Sequence, residues 1–385
     1  MRLLTAGESH GPVLVAIVDG VPAALELGPS DIDPDLHRRQ LGYGRGARQR
    51  IERDTVRITG GVRHGRTTGA PVALQIANRD AVNWERVMSV EPVVDPPPAV
   101  TRLRPGHADL AGALKYGHDD VRDVIERASA RETAARVAAG AVAKKILGVV
   151  GIEIRSETRA IGDVESVPTF DSAAVESSEV RCGNADRSRA MVAAIAAARD
   201  AGDTLGGIVA LRASGLVAGL GATAQWDRRL DGRIGQALLS IQSAKGLQFA
   251  DAFAAARERG SRVHDPIAVA GGRFVRARNR AGGLEGGITN GEDLRVSAFM
   301  KPIATLMKPL RSVDLATMTV SPATIERSDV CAVPAAAVVG EAMVAIVLAD
   351  AAVEKFGGDS IEELVANWRA FRARTAARFA PRTQP

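Results

Sequence analysis

The spacing of apolar and polar positions divides the chain into short strands and several long helices. Residues 1–6 and 13–18 are apolar runs of strand length, as are 71–77, 152–156, 204–211 and 294–300, while 51–59 alternates with period two. Helical periodicity covers 30–40, with Ser30 as cap and acids in the first turn, then 187–201 and 231–241. Ser129-Ala-Arg-Glu132 opens a further helix as a capping box: the Ser129 hydroxyl accepts from an orphan amide, and Glu132 reaches back to the Ser129 amide. That helix runs through Val137, Val142 and Ile146 and stops at Gly148. Residues 335–356 form a strongly apolar helix stopped by Gly357-Gly358. A second box, Ser360 to Glu363, starts an amphipathic helix with Ile361, Leu364, Trp368 and Phe371 on one side.

No fixed repeat and no interdomain linker interrupts these elements, so a single large α+β domain is expected over 1–372, followed by a basic tail, 373–385, expected to be disordered. With 46% hydrophobic residues the core is ample, but aromatics are only 3%, so small and β-branched side chains must fill it. The 2 cysteines, Cys182 and Cys331, have neither disulfide-framework nor metal-like spacing, which suits a reducing cytoplasm. The start of the sequence lacks a signal-peptide pattern, and no charge-free apolar run reaches membrane-spanning length. A net charge of +5 leaves nucleic acid, membrane or small anions open as partners. Stacking aromatics and a reading helix are missing, and the basic residues are interleaved with glycine and acids, which favours pockets for compact anions.

The candidate chemistry sits in the loops. Gly7-Glu-Ser-His-Gly11 matches the G-x-S-x-G of a hydrolase elbow, but a strand follows it instead of a helix, so the turn is read as presenting His10. Gly44-Arg45-Gly46 and Arg48 form a bendable basic loop without a Walker lysine or a dinucleotide fingerprint. Arg104-Pro-Gly-His107-Ala-Asp109 places a second histidine in a turn, and Arg127 and Arg131 flank the Ser129 cap where a helix dipole attracts anions. Arg327 and Asp329, two apart on an extended segment, share a face, so the arginine would hold that carboxylate ionised. Imidazole titrates near 6.5 and a phosphate monoester near 6, so a histidine can protonate a leaving phosphate, while arginines hold carboxylates in bidentate pairs. These residues point to phosphate elimination or transfer.

In their order along the chain, these motifs resemble the chorismate synthase family: Gly7–Gly11, the arginines from Arg39 to Arg53, Arg104–Asp109, Arg127–Thr133, Gly282–Gly287, Lys301–Thr305 and Arg327–Asp329. The chain departs from the commonest pattern at Ala128 and in Gly42–Gly46. The resemblance implies a β-α-β sandwich, with a helical layer between two mainly antiparallel sheets, and a homotetramer. It implies elimination of phosphate from 5-enolpyruvylshikimate 3-phosphate to give chorismate, with reduced FMN and no net redox change. His10 would protonate the leaving phosphate, His107 would protonate or hold the flavin, and Asp329 would help remove the ring proton by way of the flavin. Arg45, Arg48, Arg104, Ser129, Arg131 and Arg327 would bind substrate. Arg127, Ala128, Ser129, Gln242, Ser243, Gly286, Lys301, Pro302, Ile303, Ala304, Thr305 and Arg327 would contact the flavin. The resemblance also links Arg39 and Arg45 to NADP. The chain lacks the inserts of members that reduce their own flavin, so an external reductant is expected, with no nucleic-acid or membrane partner.

Overall fold

Two antiparallel sheets take up the strands that the alternation predicts. The computed structural model describes residues 1–378 apart from 47, 272 and 327. The first sheet has the order Arg2–Ala6, Val13–Asp19, Val72–Ala77, Val56–Gly60. Its inward positions are Leu14, Ala16, Val18, Val72, Leu74 and Ile76, all buried, as a half-buried strand with period two requires. The second has the order Ala244–Phe249, Leu294–Met300, Gly207–Ser214, Glu153–Ile161, Val164–Glu165. The strand expected at 152–156 therefore runs on to Ile161, and the one expected from 204 begins at Gly207. Where 51–59 was expected to be one strand, a short helix Arg48–Ile51 precedes Val56–Gly60, which places the Arg48 backbone on a helical turn.

The central helix, Thr133–Gly148, packs on Val13–Asp19 and Val72–Ala77 of the first sheet. The apolar helix, Val333–Phe356, packs on Glu153–Ile161 and Gly207–Ser214 of the second, and the two helices pack on each other. Small residues allow this close approach: a Cβ at Gly140 would fall 2.2 Å from the Ala342 Cβ. The Val333–Phe356 helix is long and apolar enough to cross a membrane, but 83% of its most apolar stretch is buried in this body. Midway along it, buried Glu341 accepts from Arg38 at 2.8 and 2.9 Å, from Lys144 at 2.6 Å and from Ser156 at 2.5 Å.

Helix caps differ in detail from the expectation. Glu363 N–H donates to Ser360 Oγ at 3.1 Å, as the second box requires. At the first box, Ser129 caps a 3-10 turn, Ala130–Glu132, and Thr133 begins the α-helix proper. Near residue 30 the cap shifts too: Asp31 accepts from the Gly28 amide, and the α-helix is Asp33–Gln40. The last helix, Ile361–Arg378, extends into the segment expected to be a disordered tail, and 379–385 lie outside the described residues. Beside the main core, Leu103, Ala113, Val121 and Ile125 form a small cluster that seats the helices Asp109–Tyr116 and Arg122–Ala128.

Candidate active site

The loop carrying His10 is fixed by its glycine and by the helix beneath it. Gly7 has φ +100°, and a Cβ there would meet Val13 O at 2.3 Å, so only glycine turns the chain this tightly. Asn78 Nδ2 donates to the Glu8 and Gly11 carbonyls at 3.1 and 2.7 Å. Ser9 N–H donates to Glu126 O at 3.0 Å, and His10 Nδ1 lies 2.9 and 3.1 Å from the two Glu126 carboxylate oxygens. Trp84 stacks on the imidazole with ring centroids 3.9 Å apart.

His107 is held in the same way from the other wall. Its Nδ1 lies 2.5 Å from Asp109 Oδ1, and buried Asp109 also accepts from Arg104 Nε and Nη2 at 3.0 and 3.1 Å. Burial alone would raise the Asp109 carboxyl, but hydrogen bonds from His107 and Arg104 hold it well below the usual carboxylate range. Arg104 Nη1 reaches Thr305 Oγ1 at 3.2 Å, which ties this turn to the 301–305 segment.

Between the histidines lies a cavity of about 560 Å³. Of the residues expected at the site, His10, His107, Asp329, Arg39, Arg45, Arg48, Arg104, Ala128, Ser129, Arg131, Gln242, Ser243, Lys301, Ile303, Ala304 and Thr305 all line it. Ile125, Leu205, Ile241, Met300 and Val339 make an apolar wall. Among the described residues the arginine, lysine and carboxylate lining is five arginines and Lys301 against Glu326 and Asp329. Asp54, behind the wall, accepts from Arg39 at 2.8 Å and from Arg131 at 2.7 Å. Arg39 Nε, Arg45 Nε, Arg48 Nε and Arg131 Nη2 are buried without a hydrogen-bond partner among the described residues. A lining this rich in guanidinium groups is suited to a small polyanion.

Some expected residues take other positions. The Arg127 guanidinium points away from the cavity and donates to the Thr5 and Gly7 carbonyls at 3.0 and 3.1 Å, fastening the first strand to the His10 loop. Gly286 sits in the Leu284–Glu285/Ile288–Thr289 hairpin and does not line the cavity, nor does Pro302. Arg327 lies outside the described residues. The cation found on Asp329 is Arg45, at 2.6 Å, and the Gly46 amide donates to the same carboxylate at 2.6 Å. Glu132 does not close a capping box, because its carboxylate is taken by Gln242 and Arg136, at 2.7 and 2.6 Å. Arg39 and Arg45, linked to NADP by resemblance, turn into this same cavity. Glu126, Asp54 and Trp84 escaped the sequence reading. Trp84 alone carried a signal, as one of 3 tryptophans in an aromatic-poor chain.

Fold and cavity together bring two histidines and several arginines to one pocket of a mixed helix and strand protein. A family model described as chorismate synthase matches residues 1–353. A chorismate synthase of Symbiobacterium thermophilum is 55% identical, covering 98% of this chain and 100% of its own length. One of Rubrobacter xylanophilus is 55% identical over 96% of each chain. A crystal structure of chorismate synthase superimposes with a TM-score of 0.78 at 39% identity, covering 98% of both chains. The chain belongs to the chorismate synthase family, lyases of the shikimate pathway.

Proposed function

We propose that the cavity binds 5-enolpyruvylshikimate 3-phosphate together with reduced FMN and eliminates phosphate in the anti-1,4 sense to give chorismate. The observation that carries this reading is a cavity lined by arginines together with two imidazoles, each anchored through Nδ1 to a buried carboxylate. A substrate with two carboxylates and a phosphate matches the positive charge that Arg39, Arg45, Arg48 and Arg131 bring to the lining. The apolar wall and the polar segments Ala128–Ser129, Gln242–Ser243 and 301–305 suit a flavin ring and its phosphate tail. Bound there, reduced FMN would supply an electron-rich ring for an elimination with no net redox change.

The chain's own residues do the rest. His10 gives its proton to the ester oxygen of phosphate as the C–O bond breaks. Asp329, set by Arg45 and the Gly46 amide, helps take the ring proton. His107, backed by Asp109, holds or protonates the flavin. Arg104 binds substrate less directly, since much of its guanidinium is committed to Asp109 and Thr305. No role in this chain's own cavity follows for Gly286 or the Arg127 side chain.

The two sheets enclosing the packed helices are read as a β-α-β sandwich. A homotetramer in the cytoplasm, with a separate flavin reductant, completes the proposal. Support for the separate reductant comes from Arg39 and Arg45, which line the substrate cavity and pair with Asp54 behind its wall and with Asp329. A nucleic-acid role is disfavoured because Arg38, Arg39, Arg45 and Arg48 turn inward to acids or to the cavity. A hydrolase role is disfavoured because Ser9 Oγ accepts from Arg48 at 2.8 Å. The test is to supply the enolpyruvyl phosphate and chemically reduced FMN without oxygen and follow chorismate absorbance. Product forms with reduced flavin and not with oxidised flavin; a failure to form it with the reduced cofactor refutes the assignment.

A further inference from the structure

We infer that Glu126 is a positioning residue that sets the tautomer and aim of His10, and that it makes the second protonation of His10 conditional on an anion reaching Arg48. The inference rests on the role proposed above for His10 and goes beyond it.

The geometry begins with what each atom can do. The Glu126 side chain is fully buried, and its Oε2 accepts from the His10 main-chain N–H at 2.8 Å. Both carboxylate oxygens also lie within 3.1 Å of His10 Nδ1. An ionised carboxylate only accepts, so Nδ1 must carry the hydrogen. Burial alone would raise the Glu126 carboxyl, but the bonds from His10 and the charge of Arg122 keep it below its ordinary value. Trp84 covers one face of the ring, so the imidazole cannot swing freely.

The other ring nitrogen then meets a conflict. His10 Nε2 lies 3.2 Å from Arg48 Nη1. Guanidinium only donates, so this contact is a bond only while Nε2 is unprotonated. A second proton on the ring would set two donors against each other. Arg48 must then move away, or an oxyanion must enter and accept from both. The leaving phosphate is such an anion, and Nε2–H faces the oxygen that receives its proton when the C–O bond breaks. The proton donor is therefore armed by the group it serves. Other charges around this arrangement include Arg122, 3.3 Å from both Glu126 and Glu326, and Glu52, 3.2 Å from Arg48 and 3.6 Å from Arg131.

The test uses the full chain labelled with ¹⁵N-histidine, with His10→Ala identifying the resonance among the 6 histidines. The unliganded protein should show His10 with Nδ1 protonated and Nε2 accepting. Added inorganic phosphate should make the doubly protonated ring appear at higher pH. Glu126→Gln should give a mixed tautomer, lose that phosphate response and lower kcat by about 10²-fold, the loss expected for a misaimed acid, with little change in KM. It should also move the acid limb of the kcat profile, and Glu126→Asp should recover part of the rate. An Nε2–H tautomer in the unaltered protein would overturn the inference, as would a Glu126→Gln enzyme with unchanged kcat and pH profile. If the Gln variant does not fold, the spectra and phosphate titration of the unaltered protein decide. If the unaltered protein makes no chorismate, the proposed function fails while the tautomer measurement still stands.

Discussion

Arg38 and Arg39 are neighbours in sequence and meet opposite fates in the fold. Arg38 joins a buried cluster centred on an anion, Glu341, whose two oxygens are filled by Arg38, Lys144 and Ser156. Burial alone would lower the Arg38 guanidinium, but Glu341, Glu176 and Asp35 raise it well above its ordinary value. Arg39 faces the cavity and shares one carboxylate, Asp54, with Arg131. Burial lowers Arg39 to about 10, with Arg131 and Arg45 adding to the fall and Asp54 opposing it. The first cluster is closed, apart from Arg181 Nε, and it joins secondary structure together. The second has one carboxylate for two guanidinium groups that line the cavity, which leaves positive charge there for an anion. The same residue types support stability or recognition according to whether their hydrogen-bonding capacity is already filled.

Substitutions can break this contrast from either side. The largest effects should come from the cavity. His10→Ala and His107→Ala should each lower turnover by about 10²- to 10⁴-fold, as expected for a positioned acid, while the melting temperature stays close to that of the parent. Anaerobic assays with reduced flavin that show near-normal turnover would remove those roles. The core cluster should respond the other way. Glu341→Gln should cost about 3–5 kcal/mol of stability, because it leaves buried cations uncompensated, yet the remaining folded enzyme should turn over normally. A pH signature accompanies it. Burial alone would raise Glu341, but Lys144 and Arg38 hold it below its ordinary 4.5. Its stabilisation is therefore complete above that value and fades as pH falls through the lower folded one. Urea unfolding at a series of acidic pH values should show a steeper loss for the parent than for Glu341→Gln; equal slopes would mean that Glu341 is not the group responsible.

The sequence made the turns and their histidines legible because local rules place them. A glycine turn between two strands presents His10, and a Pro-Gly turn presents His107. The arginine-rich loop could be expected to face a ligand for the same reason. Asp109, which anchors His107, lies two residues along in the same motif, but the carboxylates behind His10 and Arg131 were not legible, because those pairings close across the fold. Glu126 meets His10 from 116 positions away, and Arg131 meets Asp54 from 77 positions away. Asp329 shows the cost of local reasoning. The sequence offered Arg327, which lies outside the described residues, and the fold adds Arg45, 284 positions away. Arg127 likewise looked like part of the anion site, but the first strand offered its guanidinium main-chain acceptors close by. Covalent neighbours are visible in a sequence, whereas partners brought in by sheet and helix packing are not.

The smallest effect concerns Ser129, where stability and binding meet at one hydroxyl. A complete capping box would make Ser129→Ala cost about 1 kcal/mol or more. Here the box is open: Glu132 is bound to Gln242 and Arg136, and the Ser129 hydroxyl takes the Arg131 amide at 3.3 Å, long for such a bond. Ser129→Ala should therefore cost only about 0.5 kcal/mol of stability, near the low end for a lost cap. Ser129 lines the cavity, however, and its cap sets the main chain of Arg131, which lines it too. The substrate KM should thus rise more than the stability loss alone would suggest. Urea unfolding and steady-state kinetics on the same preparation separate the two. A stability loss near 2 kcal/mol, the upper range for caps, with KM unchanged would make Ser129 an ordinary helix cap and move it from the open cluster to the closed one.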